Sequence, residues 1–234
     1  MKKIILGLAV FSLFSVSCRE EEAVTERKEE TATVQNEYDD LAAQQFLKDN
    51  YLDARGNIVA FNSTSTADDA EKPLAELNPV KLPSGVIYIV RYVPQNGKVI
   101  GATDKISMMH RTTTYIASKE ENVVKYADAA IFRNTISGTG FPDVDPTYYY
   151  VKQSVLDNDK TKTRSFYEIE GLQEGLKYFL STETPSSENY NLQGVIIVPS
   201  RAAFAKDPHF FYTGFSLKDR SFVFNFQIYK TEPR

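Results

Sequence analysis

Tryptophan is absent from the 234 residues, cysteine occurs once and histidine twice. A single thiol excludes an internal disulfide and a thiolate metal cluster. His110 and His209 are far apart, and neither belongs to a His-Glu-x-x-His pair. There is no Gly-x-Ser-x-Gly elbow and no glycine-rich phosphate cradle; Gly138-Thr139-Gly140 is too short and isolated to serve as one. Asp143, Asp145, Asp157 and Asp159 lie in loop-like sequence without calcium-loop spacing and read as turn formers. Neither a metal nor a cofactor is expected. Basic clusters are also lacking: 27 Lys and Arg stand against 31 Asp and Glu, a formal charge of −4. That balance excludes the phosphate-binding stripe of a nucleic-acid protein and the polybasic patch of a membrane-surface protein. No internal repeat is present.

What is there begins with an export pattern. Lys2 and Lys3 precede an apolar run, Ile4 to Phe14, that is shorter than the roughly 20 residues needed to span a bilayer. Small residues lead to Cys18, and the run stops at Arg19-Glu20-Glu21-Glu22. Leu13-Phe14-Ser15-Val16-Ser17-Cys18 resembles the lipobox at which bacterial lipoproteins are acylated and cleaved. The resemblance implies that residues 1–17 are removed and that Cys18 carries the lipid, which also accounts for the odd cysteine. Acyl chains contribute roughly 0.8 kcal/mol per buried methylene, so several give durable anchoring. Loss of Lys2 and Lys3 takes the formal charge to about −6. The acidic run after Cys18 resembles the signal that sends some Bacteroidota lipoproteins to the outside of the outer membrane. It equally suits a solvated tether, so a periplasmic and a surface-facing location both stand.

Arg19 to Gln35 has almost no large apolar residue and reads as a disordered tether. From Tyr38 to Tyr51, Leu41, Ala42, Phe46 and Leu47 recur at helical spacing, with Asp39 or Asp40 available as cap, and this helix is expected to pack on the main domain. Asn62 to Glu71 reads as a loop, and Pro79 and Pro83-Ser84-Gly85 punctuate the chain before the globular part. Strands are expected at Val86 to Tyr92, Lys105 to Tyr115, Tyr148 to Val151, Arg164 to Ile169, Gly194 to Val198 and Ser221 to Tyr229. One helix, Leu172 to Leu180, places Leu172, Leu176 and Phe179 on one face. Strands around one helix predict an α+β domain with an antiparallel sheet. The segments are 1–17 signal, 18–36 lipidated cysteine and tether, 37–80 N-terminal helix and loop, and 81–234 the main domain.

Three blocks occur in order: Ile169-Glu-Gly171-Leu172, then Val198-Pro199-Ser200-Arg-Ala-Ala-Phe204, then Phe222-Val-Phe224-Asn-Phe226-Gln-Ile228. Together with Pro83-Ser84-Gly85-Val86-Ile87-Tyr88 they resemble the FKBP-type peptidyl-prolyl cis-trans isomerases over about residues 84–230. The export signal, acidic tether and Tyr38-Asp-Asp helix are similar to flavobacterial FKBP lipoproteins. The resemblance implies an antiparallel sheet wrapped on one central helix, preceded by a short N-terminal helix. It also implies an apolar pocket that grips proline. Rotating an X-Pro bond works against a barrier of roughly 18–20 kcal/mol. A dry aromatic pocket that fits the twisted amide better than either planar form lowers that barrier without a nucleophile.

Carried over by position, Ile169 is the residue whose backbone N–H holds the ligand carbonyl, Leu172 the pocket floor and Phe224 the closing-strand wall. Phe204 stands where the family has Tyr, and Ala205 where it has Gly. Phe132 is the aromatic of a Phe-Asp pair whose Asp is here Arg133. His110 and Phe215 form the rim, while His209 reads as solvated. The Phe132 to Ile169 stretch is longer than usual in the family. Each apolar residue of this set also suits a plain core position.

Three functions follow. The first is a lipid-tethered isomerase or folding helper for proline-containing exported polypeptides, a monomer touching the membrane only through its lipid. The second is an FKBP-like peptide or protein binder without turnover. The third, resting on the acidic run, is a surface lipoprotein of adhesion or glycan uptake.

Overall fold

The structure is a computed structural model that describes residues 29–185 and 187–234. Cys18, the export signal and the acidic run after it lie outside the described residues.

Helix α1 spans Ala32–Asp49 and is capped by Thr31, whose hydroxyl accepts from Val34 N at 3.3 Å. It therefore starts before Tyr38, inside the stretch expected to be tether, and neither Asp39 nor Asp40 is its cap. The buried face runs Gln35, Asp39, Ala42, Ala43, Leu47. Two of those five positions are polar, which hides the first turns from an apolar periodicity. The helix ends where Asn50 donates from Nδ2 to Phe46 O at 2.8 Å. A small hairpin follows, β1 (Asn50–Leu52) with β2 (Ile58–Ala60), turning through Gly56 at φ +82°. Strands of three residues are too short to show an alternation.

The main sheet is antiparallel. Its strands are β3 (Val80–Lys81), β4 (Ile87–Val90), β5 (Lys105–Glu120), β6 (Val123–Asn134), β7 (Asp143–Val144), β8 (Gly194–Val198) and β9 (Arg220–Glu232). The order is β3-β4-β8-β9-β5-β6, with β7 paired to the start of β5. Four expected strands are present; β5 and β9 run longer than expected. Strand β6 was not expected, because as an edge strand it faces solvent along much of its length and lacks an apolar stripe.

Two expected strands are absent. Tyr148 to Val151 forms a turn, and Arg164–Phe166 a 3-10 turn. The segments do lie together, Ile169 N donating to Tyr148 O at 2.8 Å. Side chains replace the rest of a ladder: Val151 N donates to Glu168 Oε1 at 2.8 Å, and Arg164 to Val151 O at 2.9 Å. The consecutive aromatics therefore mark burial here, not sheet pairing. A short helix α2 (Gln153–Asn158) lies between these segments.

The central helix α3 spans Glu170–Leu176; Phe179, expected within it, lies just beyond and is still buried. The helix comes close to the sheet through glycine. A Cβ on Gly171 would sit 2.5 Å from Val198, and one on Gly175 would sit 2.9 Å from Ile196.

Helices thus cover both faces. Ile196, Val198, Phe222, Phe224, Phe226 and Ile228 join α3 in one core. Val195, Ile197 and Val223 join Ala43 and Leu47 of α1 in the other. This is why β8 reads as an unbroken apolar run, since neither side of the strand meets water. Burying a side chain of this size stabilises by roughly 1.5–3 kcal/mol. The result is a mixed α+β fold with an antiparallel sheet and an N-terminal helix.

Candidate functional site

The inner face, toward α3, gathers the aromatics. Phe222 and Phe224 stack along β9 with ring centroids 5.9 Å apart, and His110 lies parallel to Phe224 at 6.4 Å. Phe132 stands edge-on to Phe222 at 5.2 Å, and Phe204 to Phe222 at 6.1 Å. Ile169 and Leu172 belong to the same core. Residues far apart in sequence therefore converge: Phe132, Ile169, Leu172, Phe204 and Phe224, with His110 beside them.

The cluster is closed. None of those five apolar residues is more than 5% exposed. Two tyrosines outside the residue set assigned by resemblance complete it, Tyr148 within the core and Tyr212, partly buried, against it. Tyr148 and Tyr212 each meet Phe132 edge-on, at 5.2 and 5.7 Å, a geometry that aromatic quadrupoles favour. The Ile169 N–H assigned to a ligand carbonyl is taken by Tyr148 O. Tyr148 could have been found from the run Tyr148-Tyr149-Tyr150; nothing in the sequence marks Tyr212.

His110 is fully buried and sits within a polar chain. Thr112 Oγ1 lies 2.7 Å from Nδ1, and Tyr148 OH lies 3.0 Å from Nε2 and 3.0 Å from Asp143 Oδ2. One assignment satisfies all of these: Thr112 donates to Nδ1, Nε2–H is shared between Tyr148 OH and Asp143 Oδ2 at 3.3 Å, and Tyr148 donates to Asp143. Burial holds the imidazole below its ordinary pKa, despite Asp143. Burial disfavours the Asp143 carboxylate as well, but hydrogen bonds from His110 and Tyr148 and the nearby Arg133 outweigh it, leaving Asp143 below the ordinary value. Arg133 Nε stands 3.7 Å from Asp143, so the arginine that follows Phe132 is paired with an acidic residue of β7. His110 is thus an interior anchor and not an exposed rim.

The loop from Ala205 to Asp219 covers the cluster. Asp219 N donates to Ala205 O at 2.7 Å, closing the loop at its neck. Ala205 adopts φ +48°, the left-handed conformation that favours glycine. Inside the loop His209 is half-buried, not solvated: Leu217 N donates to its Nε2 at 3.0 Å. Tyr212 OH bolts the loop to Tyr167 O at 2.7 Å. On the outside a cleft of about 430 Å³ opens, lined by Pro208, His209, Phe211 and Phe215 with Lys206 and Lys218 at its edge. Phe215 therefore lines an open concavity, and the His209 ring, 5.0 Å from Phe204, links it to the closed cluster.

Of the other aspartates expected in loops, Asp157 lies within α2 and accepts from Gln153 at 3.0 Å. Asp145 holds Arg234 and Lys152, and Asp159 caps a turn at Thr161. Among the described residues no group of three His, Cys, Asp or Glu could hold a metal ion. No helix among them is long and apolar enough to cross a membrane.

No family profile and no curated protein sequence matches this chain. Solved structures do. FkpA from Escherichia coli is 17% identical with a TM-score of 0.36, the match covering 68% of this chain and 53% of that one. A peptidyl-prolyl cis-trans isomerase from Pseudomonas syringae pv. tomato is 12% identical with a TM-score of 0.40, covering 88% and 100%. AtFKBP13 is 12% identical with a TM-score of 0.32, covering 66% and 98%. The chain thus spans about half the length of FkpA.

Proposed function

We propose that the chain is an FKBP-type peptidyl-prolyl isomerase or folding helper for proline-containing segments of exported proteins, tethered to a membrane by a lipid on Cys18. The observation that carries this reading is the convergence of Phe132, Leu172, Phe204 and Phe224 beneath a loop whose outer side forms an apolar cleft. Proline enters at Phe211 and Phe215. Outward movement of the Tyr212 bolt then exposes the aromatic cluster, whose dry walls favour the twisted amide.

A second reading is binding without turnover. Three features favour it: Phe204 has no hydroxyl, Arg133 is paired with Asp143, and Ile169 N–H is already engaged. NMR exchange spectroscopy of Xaa-Pro peptides with the full chain separates the two. Turnover accelerates an exchange that otherwise takes tens of seconds or more, and Phe215→Ala reduces the effect. Peptide binding with no acceleration at micromolar protein leaves the second reading, and neither binding nor acceleration ends both. Tethering is tested by labelled palmitate, whose incorporation Cys18→Ala abolishes.

A further inference from the structure

The outer face of the sheet carries a second concavity, of about 450 Å³, within the roughly 300–1,000 Å³ typical of small-molecule sites. Strand register builds its floor. Arg111 on β5 lies opposite Asn134 on β6 and opposite Asn225 on β9. A polar row, Asn-Arg-Asn, thus crosses three strands beside the patch of this face where Val195, Ile197 and Val223 pack with Ala43 and Leu47 of α1. Thr113 and Val223 form the next row. The end of α1 supplies Phe46 as one wall, the β1–β2 hairpin supplies Ile58, and Tyr190 closes another side.

Most polar groups here are already committed, so the walls are fixed. Asn225 donates to Gly56 O at 2.8 Å and accepts from Ile58 N at 3.1 Å. Asn57 donates to Asp53 at 2.8 Å, and Asn134 to Ser137 Oγ at 2.7 Å. Arg111 is the exception: its guanidinium has no ion-pair partner among the described residues. None of the lining residues is acidic. In a chain of net charge −4, Arg111 is the one cation that lines this concavity; Arg55 stacks on the Tyr190 ring at 3.9 Å and bonds its carbonyl without lining the space.

We infer that this concavity binds a sugar bearing one carboxylate, a hexuronic acid. A planar guanidinium pairs with a carboxylate through two parallel hydrogen bonds. A phosphate would bring more charge and more oxygens than one arginine can meet, and no second cation lines the site. A free amino acid would bring an ammonium, for which the walls hold no anion. Tyr115 stacks one ring face on Tyr126 at 5.1 Å and Tyr190 has one under Arg55 at 3.9 Å, so each keeps the other face for the C–H side of a pyranose; Ser137 Oγ, which accepts from Asn134, still has a proton to donate to a hydroxyl. The site is on the opposite face from the aromatic cluster and does not depend on the isomerase reading.

The test is titration of the full chain with glucuronate, followed by amide chemical shifts, with glucose, glycine and inorganic phosphate as parallel arms. Saturable glucuronate binding is expected, weakened roughly tenfold or more by Arg111→Gln, the effect of one charged hydrogen-bonded pair. Glucose, which lacks the carboxylate, binds correspondingly more weakly. Tyr190→Ala, on a loop outside the sheet, also weakens binding, whereas Phe215→Ala leaves it unchanged. No saturation with glucuronate at millimolar concentration overturns the inference. So does unchanged affinity in Arg111→Gln with its melting temperature retained, or glycine, phosphate or glucose binding as tightly as glucuronate.

Discussion

The two faces of the sheet are covered in different ways. The inner face meets α3 across two glycines, and aromatic rings fill the space down to van der Waals contact. The outer face meets α1 through smaller side chains and a buried polar clasp. Asp39 accepts from Ser200 N at 2.8 Å and from its hydroxyl at 2.6 Å, while Gln35 donates to the same carboxylate at 3.1 Å. Where α1 ends, Arg111 is left exposed, while Asn225 of the same row is covered by the β1–β2 hairpin. One sheet therefore carries a face held by shape and a face held by specific hydrogen bonds, and the two respond differently to substitution and to pH.

The largest expected contrast is in stability. Phe224→Ala opens a cavity in a face that cannot collapse around α3 and costs about 3–5 kcal/mol, read from the urea midpoint. Asp39→Ala leaves the Ser200 donors unpaired on the outer face and costs about 1–3 kcal/mol. Equal losses in the two variants would erase the distinction between the faces.

A sharper contrast lies in pH. Burial holds Asp39 above its ordinary value, against the hydrogen bonds from Ser200 and Gln35. Its contribution is therefore full below the ordinary carboxylate range and is lost as pH rises through the folded value. Burial holds His110 below its ordinary value, so its contribution is full above about pH 6.5 and is lost as pH falls toward the folded value. Denaturant midpoints between about pH 4 and 8 test both signs. Asp39→Asn removes the decline on the rising side, and His110→Gln removes the decline on the falling side. A His110 ring that titrates at its ordinary value by NMR would contradict the closed inner face.

The smallest expected effect concerns the covering loop. Tyr212→Phe removes the bond to Tyr167 O and costs about 0.5–1.5 kcal/mol. Hydrogen exchange at residues 210–217 speeds up while the β8 and β9 amides keep their protection. Uniform acceleration would mean that the loop has no independent opening.

Much of the inner face is legible in the sequence, because Phe222, Phe224, Phe226 and Ile228 alternate with a period that only a strand produces. The outer face is less so: Gln35 and Asp39 face inward, and their burial depends on partners more than eighty residues away. The cluster members announced themselves by type and order, but their closure did not. That closure depends on Tyr212, whose role is set by a hydrogen bond to a segment that looks like a strand and is not one. The Asn134–Arg111–Asn225 row was hidden for a similar reason. It exists only across three strands, and one of them has no recognisable pattern.

The neck between Ala205 and Asp219 has a consequence for how this chain can change over time. Because the loop leaves and returns at one hydrogen-bonded point, its exposed tip between Tyr212 and the buried Leu217 can be lengthened or shortened without moving β9, as long as those two residues keep the cluster closed. Doubling such a loop costs only about 0.6 kcal/mol in closure entropy. The tip of the covering loop is thus an adjustable cassette, able to acquire new binding preferences while the strands beneath it stay in register.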